Sequence, residues 1–258
     1  MTALKDKRAI ITAGASGIGR VVAKKMIAAG AKVAVCDVDA DAVADFAAEN
    51  PDSTAVICDV ADPKKVSEAI ETMLKSLGGG TDILFNNAGI AGPTAAIEDI
   101  SPEEWGRTVD VNLTAQYLFI RGVMAGMKAQ HSGVILNMSS AAGRLGMPMR
   151  TPYAAAKWAV IGLTQSLAME VGKFGIRVNA ILPGSVRGPR MERVMAARAK
   201  ATGRPLAEIE AEEVATMSLG RMIEPEEIAD LAIFVSSDAG RSISGQSLGV
   251  CGNTEILK

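Results

Sequence analysis

The chain has 258 residues, 48% of them apolar, enough for one large domain or two small ones around a buried core. Lys and Arg total 27 against 29 Asp and Glu, so no global field draws it to nucleic acid or an anionic membrane, and binding to either is unsupported. The opening MTALKDKRAIITAG has charges where a signal peptide has its apolar core, and no run of about 18 apolar residues occurs, so a cytoplasmic protein is expected.

Short apolar runs alternate with segments of helical period. RAIITA precedes RVVAKKMIAAG, KVAVCD precedes DAVADFAAEN, and TAVICDV precedes PKKVSEAIETMLKSLG, which is the βαβ rhythm of a parallel sheet. DILFNNA leads into a helix expected over 102–130, GVILNMSS into one over 152–171, and RVNAILPG into a helical stretch over 190–217. A helix over 225–237 and a last strand, QSLGV, complete the series. The strand runs are almost continuously apolar, as in a sheet covered on both faces. The predicted fold class is α/β: a Rossmann-like, doubly wound parallel sheet of seven strands in a single domain spanning 1–258. Residues 189–221, rich in charge and Met, are a candidate flap over a site. Cys36, Cys58 and Cys251 are widely spaced without a CxxC pattern, and His131 in KAQHSG reads as a polar-loop residue. Reduced, mostly buried thiols and no metal site are expected.

The turn ITAGASGIGR follows the first strand and opens the first helix. Gly14, Gly17 and Gly19 permit a tight turn and close backbone approach, while the helix N-terminus offers free N–H groups to a pyrophosphate. The second strand ends in Asp37, eighteen residues after Gly19, where a carboxylate can accept hydrogen bonds from adenosine ribose hydroxyls. The same carboxylate would repel a 2′-phosphate. Neither Ser16 in the loop nor Val38 after the strand is basic, so NAD is preferred over NADP. Further on, TPYAAAKWAV sets Tyr153 and Lys157 four residues apart, on one helix face. A free phenol titrates near about 10, and a neighbouring ammonium favours its phenolate, which suits an acid/base pair.

These motifs together resemble the short, single-domain branch of the short-chain dehydrogenase/reductase family. The Thr12 to Gly19 turn, through Ser16 and Ile18, is similar to its T-G-x-x-x-G-x-G loop. The Cys58-Asp59-Val60 run is similar to the element whose aspartate meets the adenine amino group. Asn86, Asn87, Ala88 and Gly89 resemble its NNAG signature, in which the two asparagines read mainly as structural. The resemblance implies a catalytic tetrad of Asn112, Ser140, Tyr153 and Lys157. Tyr153 would be the acid/base and Lys157 the charge that tunes it and reaches the nicotinamide ribose. Ser140, preferred over Ser139 on spacing, would hold the substrate oxygen, and Asn112 would bind a water linking Lys157 to solvent. Pro183, Gly184 and Val186 would line the nicotinamide. A homotetramer is implied, built through the long helices and the segment SISGQSLGVCGNTEIL, with Trp158 a core or subunit-contact residue.

Three positions depart from the family pattern. Ala13 replaces a loop glycine, with a methyl expected to be accommodated by a slight rearrangement; Gly188 replaces a threonine; Cys251 replaces an aspartate. Candidate pocket segments hold Arg144, Arg150, Arg187 and Arg190, whose forks suit a carboxylate, sulfonate or phosphate. Met147, Met149, Met191 and Met195 could instead line an apolar pocket. The expected activity is NAD-dependent interconversion of a secondary alcohol and a ketone or aldehyde, on a small polar or anionic hydroxy compound. The alternatives are a 3-oxoacyl-thioester (acyl carrier protein) reductase and a non-catalytic NAD-binding regulator.

Overall fold

A computed structural model describes residues 3–254 and 256–257. Seven parallel strands run in the order β3-β2-β1-β4-β5-β6-β7. They are β1 (Arg8–Thr12), β2 (Lys32–Asp37), β3 (Thr54–Ile57), β4 (Ile83–Asn86), β5 (Gly133–Met138), β6 (Ile176–Pro183) and β7 (Ser247–Val250). The strand order reverses at β1 and β4, which opens a ligand crevice at the carboxyl ends of those strands. The expected fold class and all seven strands are present. Within a strand, successive side chains serve opposite faces. Ile11, Val35 and Phe85 join one core, under α1 (Gly17–Ala28), α2 (Ala40–Glu49) and α9 (Pro225–Ser236). Ile10, Ala34 and Leu84 join the other, under α3 (Pro63–Ser76), α5 (Ala115–Ala129) and α6 (Thr151–Val171).

Two expected helices are interrupted. The one over 102–130 divides into α4 (Pro102–Val109), a π-helical stretch Asp110–Thr114 and α5. Ser101 and Glu104 form a capping box that starts α4, whereas the wider π turn carries Asn112. The stretch over 190–217 becomes α7 (Pro189–Thr202) and α8 (Leu206–Val214). Gly203, at φ +66°, ends α7 in the left-handed conformation, and Pro205 precedes α8. Met195, Ile209, Met217 and Met222 form a small core between these elements, with Met191 against it, so those methionines have a packing role. Trp158 is 52% exposed, which corrects its reading as a core residue and leaves only the subunit-contact alternative. His131 lies in an exposed turn, as expected. The three cysteines are free and buried. No group of metal-ligating side chains is assembled among the described residues.

Candidate active site

The glycine-rich turn joins β1 to α1, and its contacts show why small residues are required there. A Cβ on Gly19 would lie 2.0 Å from the Ala13 carbonyl oxygen and 2.6 Å from Asn87 Nδ2. The Thr12 hydroxyl accepts from the N–H groups of Asn87 and Ala88, both at 2.9 Å. Asn87 Nδ2 donates back to the Thr12 and Ala13 carbonyls at 3.1 Å, so the β4 end and the turn are stitched together. Ser16 stands at the N-cap of α1 without capping it, because its hydroxyl donates instead to Asp37. The N–H groups of Gly17, Ile18 and Gly19 therefore have no acceptor among the described residues, and the space over Gly17 is open. An uncapped, open helix start of this kind fits a diphosphate.

Ala13 holds φ +47°, so its methyl sits on a left-handed backbone. That conformation costs an L residue about 1–2 kcal/mol and glycine almost nothing. Ala13→Gly is expected to raise unfolding stability by about 1 kcal/mol, net of the unfolded-state entropy that glycine adds. A urea midpoint that falls instead would show that the methyl is worth more than the strain.

Asp37 is 4% exposed, so it is no solvated strand end. Its carboxylate accepts from Ser16 Oγ at 3.0 Å and Ala15 N at 3.3 Å on one oxygen, and from Val38 N at 2.8 Å and Asp39 N at 3.4 Å on the other. Two carboxylate oxygens offer about four acceptor sites, so a ribose diol would take the place of the two longest of these contacts, from Ala15 N and Asp39 N. Cys58 donates its N–H to the Asp37 carbonyl at 2.8 Å, placing Cys58, Asp59 and Val60 beside it. Burial pushes the Asp59 carboxyl up, but the Ala61 N–H and Arg107 together hold it below its usual range. Arg107 forks onto both Asp59 oxygens, at 3.1 and 3.2 Å.

At the carboxyl ends of β4 and β5, four elements converge. Lys157 is 2% exposed, donates to the Met138 carbonyl at 2.9 Å, and its Nζ stands 5.6 Å from the centre of the Tyr153 ring. Burial draws its ammonium down to about 7, with Arg190 adding to the shift. A Cβ on Gly89 would lie 2.9 Å from Asn112 Oδ1 and 3.5 Å from Lys157 Nζ, so both groups face this glycine. Asn112 Nδ2 donates to the Ile90 and Thr108 carbonyls, while its Oδ1 is buried without a partner among the described residues. An orphaned buried acceptor is costly and marks a place for water. Ser139 donates to the Lys157 carbonyl at 2.7 Å and is a scaffold residue. Ser140 instead caps the short turn Ala141–Gly143, accepting from Ala142 N at 3.2 Å.

A buried polar chain behind the site was not foreseen. Asn86 donates to Asn137 at 3.0 Å across β4 and β5, and Asn137 donates to Thr164 of α6 at 3.0 Å. Gln116 donates to the Asn112 and Met138 carbonyls. The asparagine in the otherwise apolar GVILNM was the available signal.

The four arginines separate. Arg187 pairs with Glu224 at 3.0 Å and Glu210 at 3.8 Å, and Arg144 donates to Cys251 Sγ at 3.0 Å. Arg190 reaches the Gly89 carbonyl at 3.4 Å, and Arg150 stands at the N-cap of α6 beside Tyr153. Pro183 ends β6, a Cβ on Gly184 would meet Thr254 and Cys251, and Val186 bridges to Ile223. Gly188 adopts φ +142°, which a threonine there would adopt only under strain, so this departure brings its own backbone geometry. Met147 lines a cleft of about 540 Å³ with Pro148, Thr151, Ala154 and Ile256, away from the helix face of Tyr153; Met149 is exposed.

A family model described as enoyl-(acyl carrier protein) reductase matches residues 12–252. A 2,5-dichloro-2,5-cyclohexadiene-1,4-diol dehydrogenase of Sphingobium indicum is 36% identical over 254 residues, covering 98% of each chain. The chain belongs to the short-chain dehydrogenase/reductase family. It is an oxidoreductase of that family acting on CH–OH groups. A D-beta-hydroxybutyrate dehydrogenase of Cupriavidus necator is 37% identical over 247 residues, 94% of this chain and 95% of that one. The crystal structure of NAD+-bound xylitol dehydrogenase superimposes with a TM-score of 0.90 at 26% identity, over 97% of this chain and 99% of the other. No helix among the described residues of this family member is long and apolar enough to cross a membrane.

Proposed function

We propose that the protein is an NAD-dependent dehydrogenase that interconverts a small polar secondary alcohol and its ketone. The observation that carries this reading is buried Lys157 5.6 Å from the Tyr153 ring, beside the orphaned Asn112 Oδ1. NAD, when bound, supplies the hydride acceptor. Tyr153 removes the carbinol proton as the hydride leaves, and returns it in the reverse direction. Lys157 supplies the positive charge that favours the phenolate, and Ser140 orients the substrate oxygen. A water on Asn112 Oδ1 passes the proton outward. The helix start at Gly17, Ile18 and Gly19 would hold the diphosphate and Asp37 the adenosine ribose. Asp59 would meet the adenine, and Asn87, Ala88, Gly89, Pro183, Gly184 and Val186 would line the nicotinamide side.

Asp37 also supports NAD over NADP. Arg20 reaches the loop carbonyl of Ala15, but it is paired with Glu49 at 2.6 Å rather than held ready for a 2′-phosphate. Asp37→Ala is expected to weaken NAD binding about 10- to 100-fold, the worth of charge-assisted hydrogen bonds, and to narrow the preference over NADP. NADH formation followed by absorbance over an alcohol panel tests the activity, and a wild-type preference for NADP would overturn the cofactor reading. The α7–α8 hairpin is the flap in this reading. Four copies would meet through α5, α6 and the half-exposed edge strand β7, a reading supported by Trp158 and the 87% exposed Met169 on α6.

A further inference from the structure

Arg150, Tyr153 and Lys157 follow at i, i+3 and i+7 where α6 begins, so the three share a face. Arg150 is half-buried and its side chain does not cap the helix. Among the described residues no carboxylate comes within ion-pair reach of its guanidinium, whereas the half-buried Arg8 and Arg198 pair with Asp82 and Glu212. The acidic group that Arg150 feels is Glu213, and that carboxylate is already held by the Ser185 hydroxyl and by Arg198 at 3.8 Å. Arg190, reaching the Gly89 carbonyl from the start of α7, is felt electrostatically by both Arg150 and Lys157. Two guanidinium groups and the Lys157 amine therefore stand on the Tyr153 side of the crevice, and among the described residues neither Arg150 nor Arg190 has an ion-pair partner. Partial burial without a counter-charge is unfavourable. An anion entering beside Tyr153 would relieve it, and a guanidinium fork suits a carboxylate or sulfonate.

We propose that Arg150, with Arg190 as a second arm, seats an anionic group of the substrate. The enzyme then selects hydroxy compounds that carry a carboxylate or sulfonate a few bonds from the carbinol over neutral alcohols. This deepens the dehydrogenase reading and rests on it. The test compares kcat/KM, with NAD, for 3-hydroxybutyrate against butane-1,3-diol, and for 2-hydroxypropanesulfonate against its sulfonamide. In each pair the carbinol is the same and the charge differs. Wild type is expected to favour at least one anion about 10- to 100-fold over its neutral counterpart, the worth of a charge-assisted fork. Whichever pair shows the larger ratio identifies the anion. Arg150→Gln is expected to collapse that ratio towards one, and Arg150→Lys, which keeps the charge but not the fork, to give an intermediate value. Arg190→Gln is expected to lower the ratio as well; a weaker hold on NAD with an unchanged ratio would assign that residue to the cofactor and overturn the second arm. A wild-type ratio near one in both pairs, or an Arg150→Gln variant that slows both members equally, would overturn the seat. If no alcohol is turned over, the dehydrogenase reading fails, and the seat is judged by calorimetric titration of acetoacetate and acetonesulfonate into protein with and without NAD. Binding to wild type that weakens about tenfold in Arg150→Gln, while 4-hydroxybutan-2-one binds both alike, sustains it. Absent binding, or equal binding by both proteins, sinks it.

Discussion

Tyr153→Phe is expected to lower kcat for alcohol oxidation by about 10²- to 10⁴-fold, the range that a positioned general acid or base contributes. The substitution removes one oxygen from a partly exposed side chain at the start of α6, so the fold has little to lose. Cofactor affinity should stay within a small factor, because the Gly17 to Gly19 helix start and Asp37 lie on other elements. KM should change less than kcat, since Ser140 still orients the substrate oxygen. Steady-state kinetics alongside a fluorescence titration of NADH binding would separate these effects. Full turnover by the variant would remove Tyr153 from the chemistry and leave the buried Lys157 without a purpose.

The parts of this molecule that obey a short-range rule were readable in advance. Strands such as KVAVCD are apolar on both faces and end where the cofactor crevice must open. The turn at Gly14, Gly17 and Gly19, Asp37, and the Tyr153–Lys157 pair each carry a spacing that geometry makes meaningful. The failures lie where tertiary contacts decide. Nothing in DVNLT marks a π turn, because the insertion matters only once Asn112 must reach Gly89 and the Ile90 carbonyl. Four arginines looked equivalent until partners on distant segments, Glu224 for Arg187 and Cys251 for Arg144, distinguished them. The chain Asn86–Asn137–Thr164 joins three elements, and its register is fixed only by the pairing of β4 with β5. Ala13 shows the reverse case. Its departure from glycine was plain, but the φ of +47° that makes it costly is a property of the folded turn.

Lys157→Met should separate catalysis from stability with opposite signs. Without the ammonium, the phenolate loses the positive charge 5.6 Å from its ring and keeps only the Arg150 guanidinium at the N-cap of α6. Alcohol oxidation should fall about 10²-fold or more, and the pH at half-maximal kcat/KM should move upward. Stability follows from burial. The Lys157 ammonium is drawn from 10.5 down to about 7 by desolvation, and further by Arg190. Between those two values the unfolded chain holds a proton that the folded chain has released, so wild-type stability rises with pH across the window. Below about 7 both states are charged and the full penalty is present. The methionine variant has no such group, so its stability curve should lack this rise, and the advantage of wild type over the variant should grow from pH 7 to pH 9 by on the order of a few kcal/mol. The lost donor to the Met138 carbonyl costs the variant about 1–3 kcal/mol at every pH, which shifts the comparison without changing its slope. Urea unfolding at several pH values reads that slope directly. Parallel curves would mean that Lys157 stays charged in the ligand-free fold, with a partner strong enough to offset its burial. A rising difference would mean that the ligand-free fold releases the Lys157 proton above about 7, so the charge demanded beside Tyr153 is fully present only below that pH, and the need for it there is the chemical reason to bury a lysine that the fold alone disfavours.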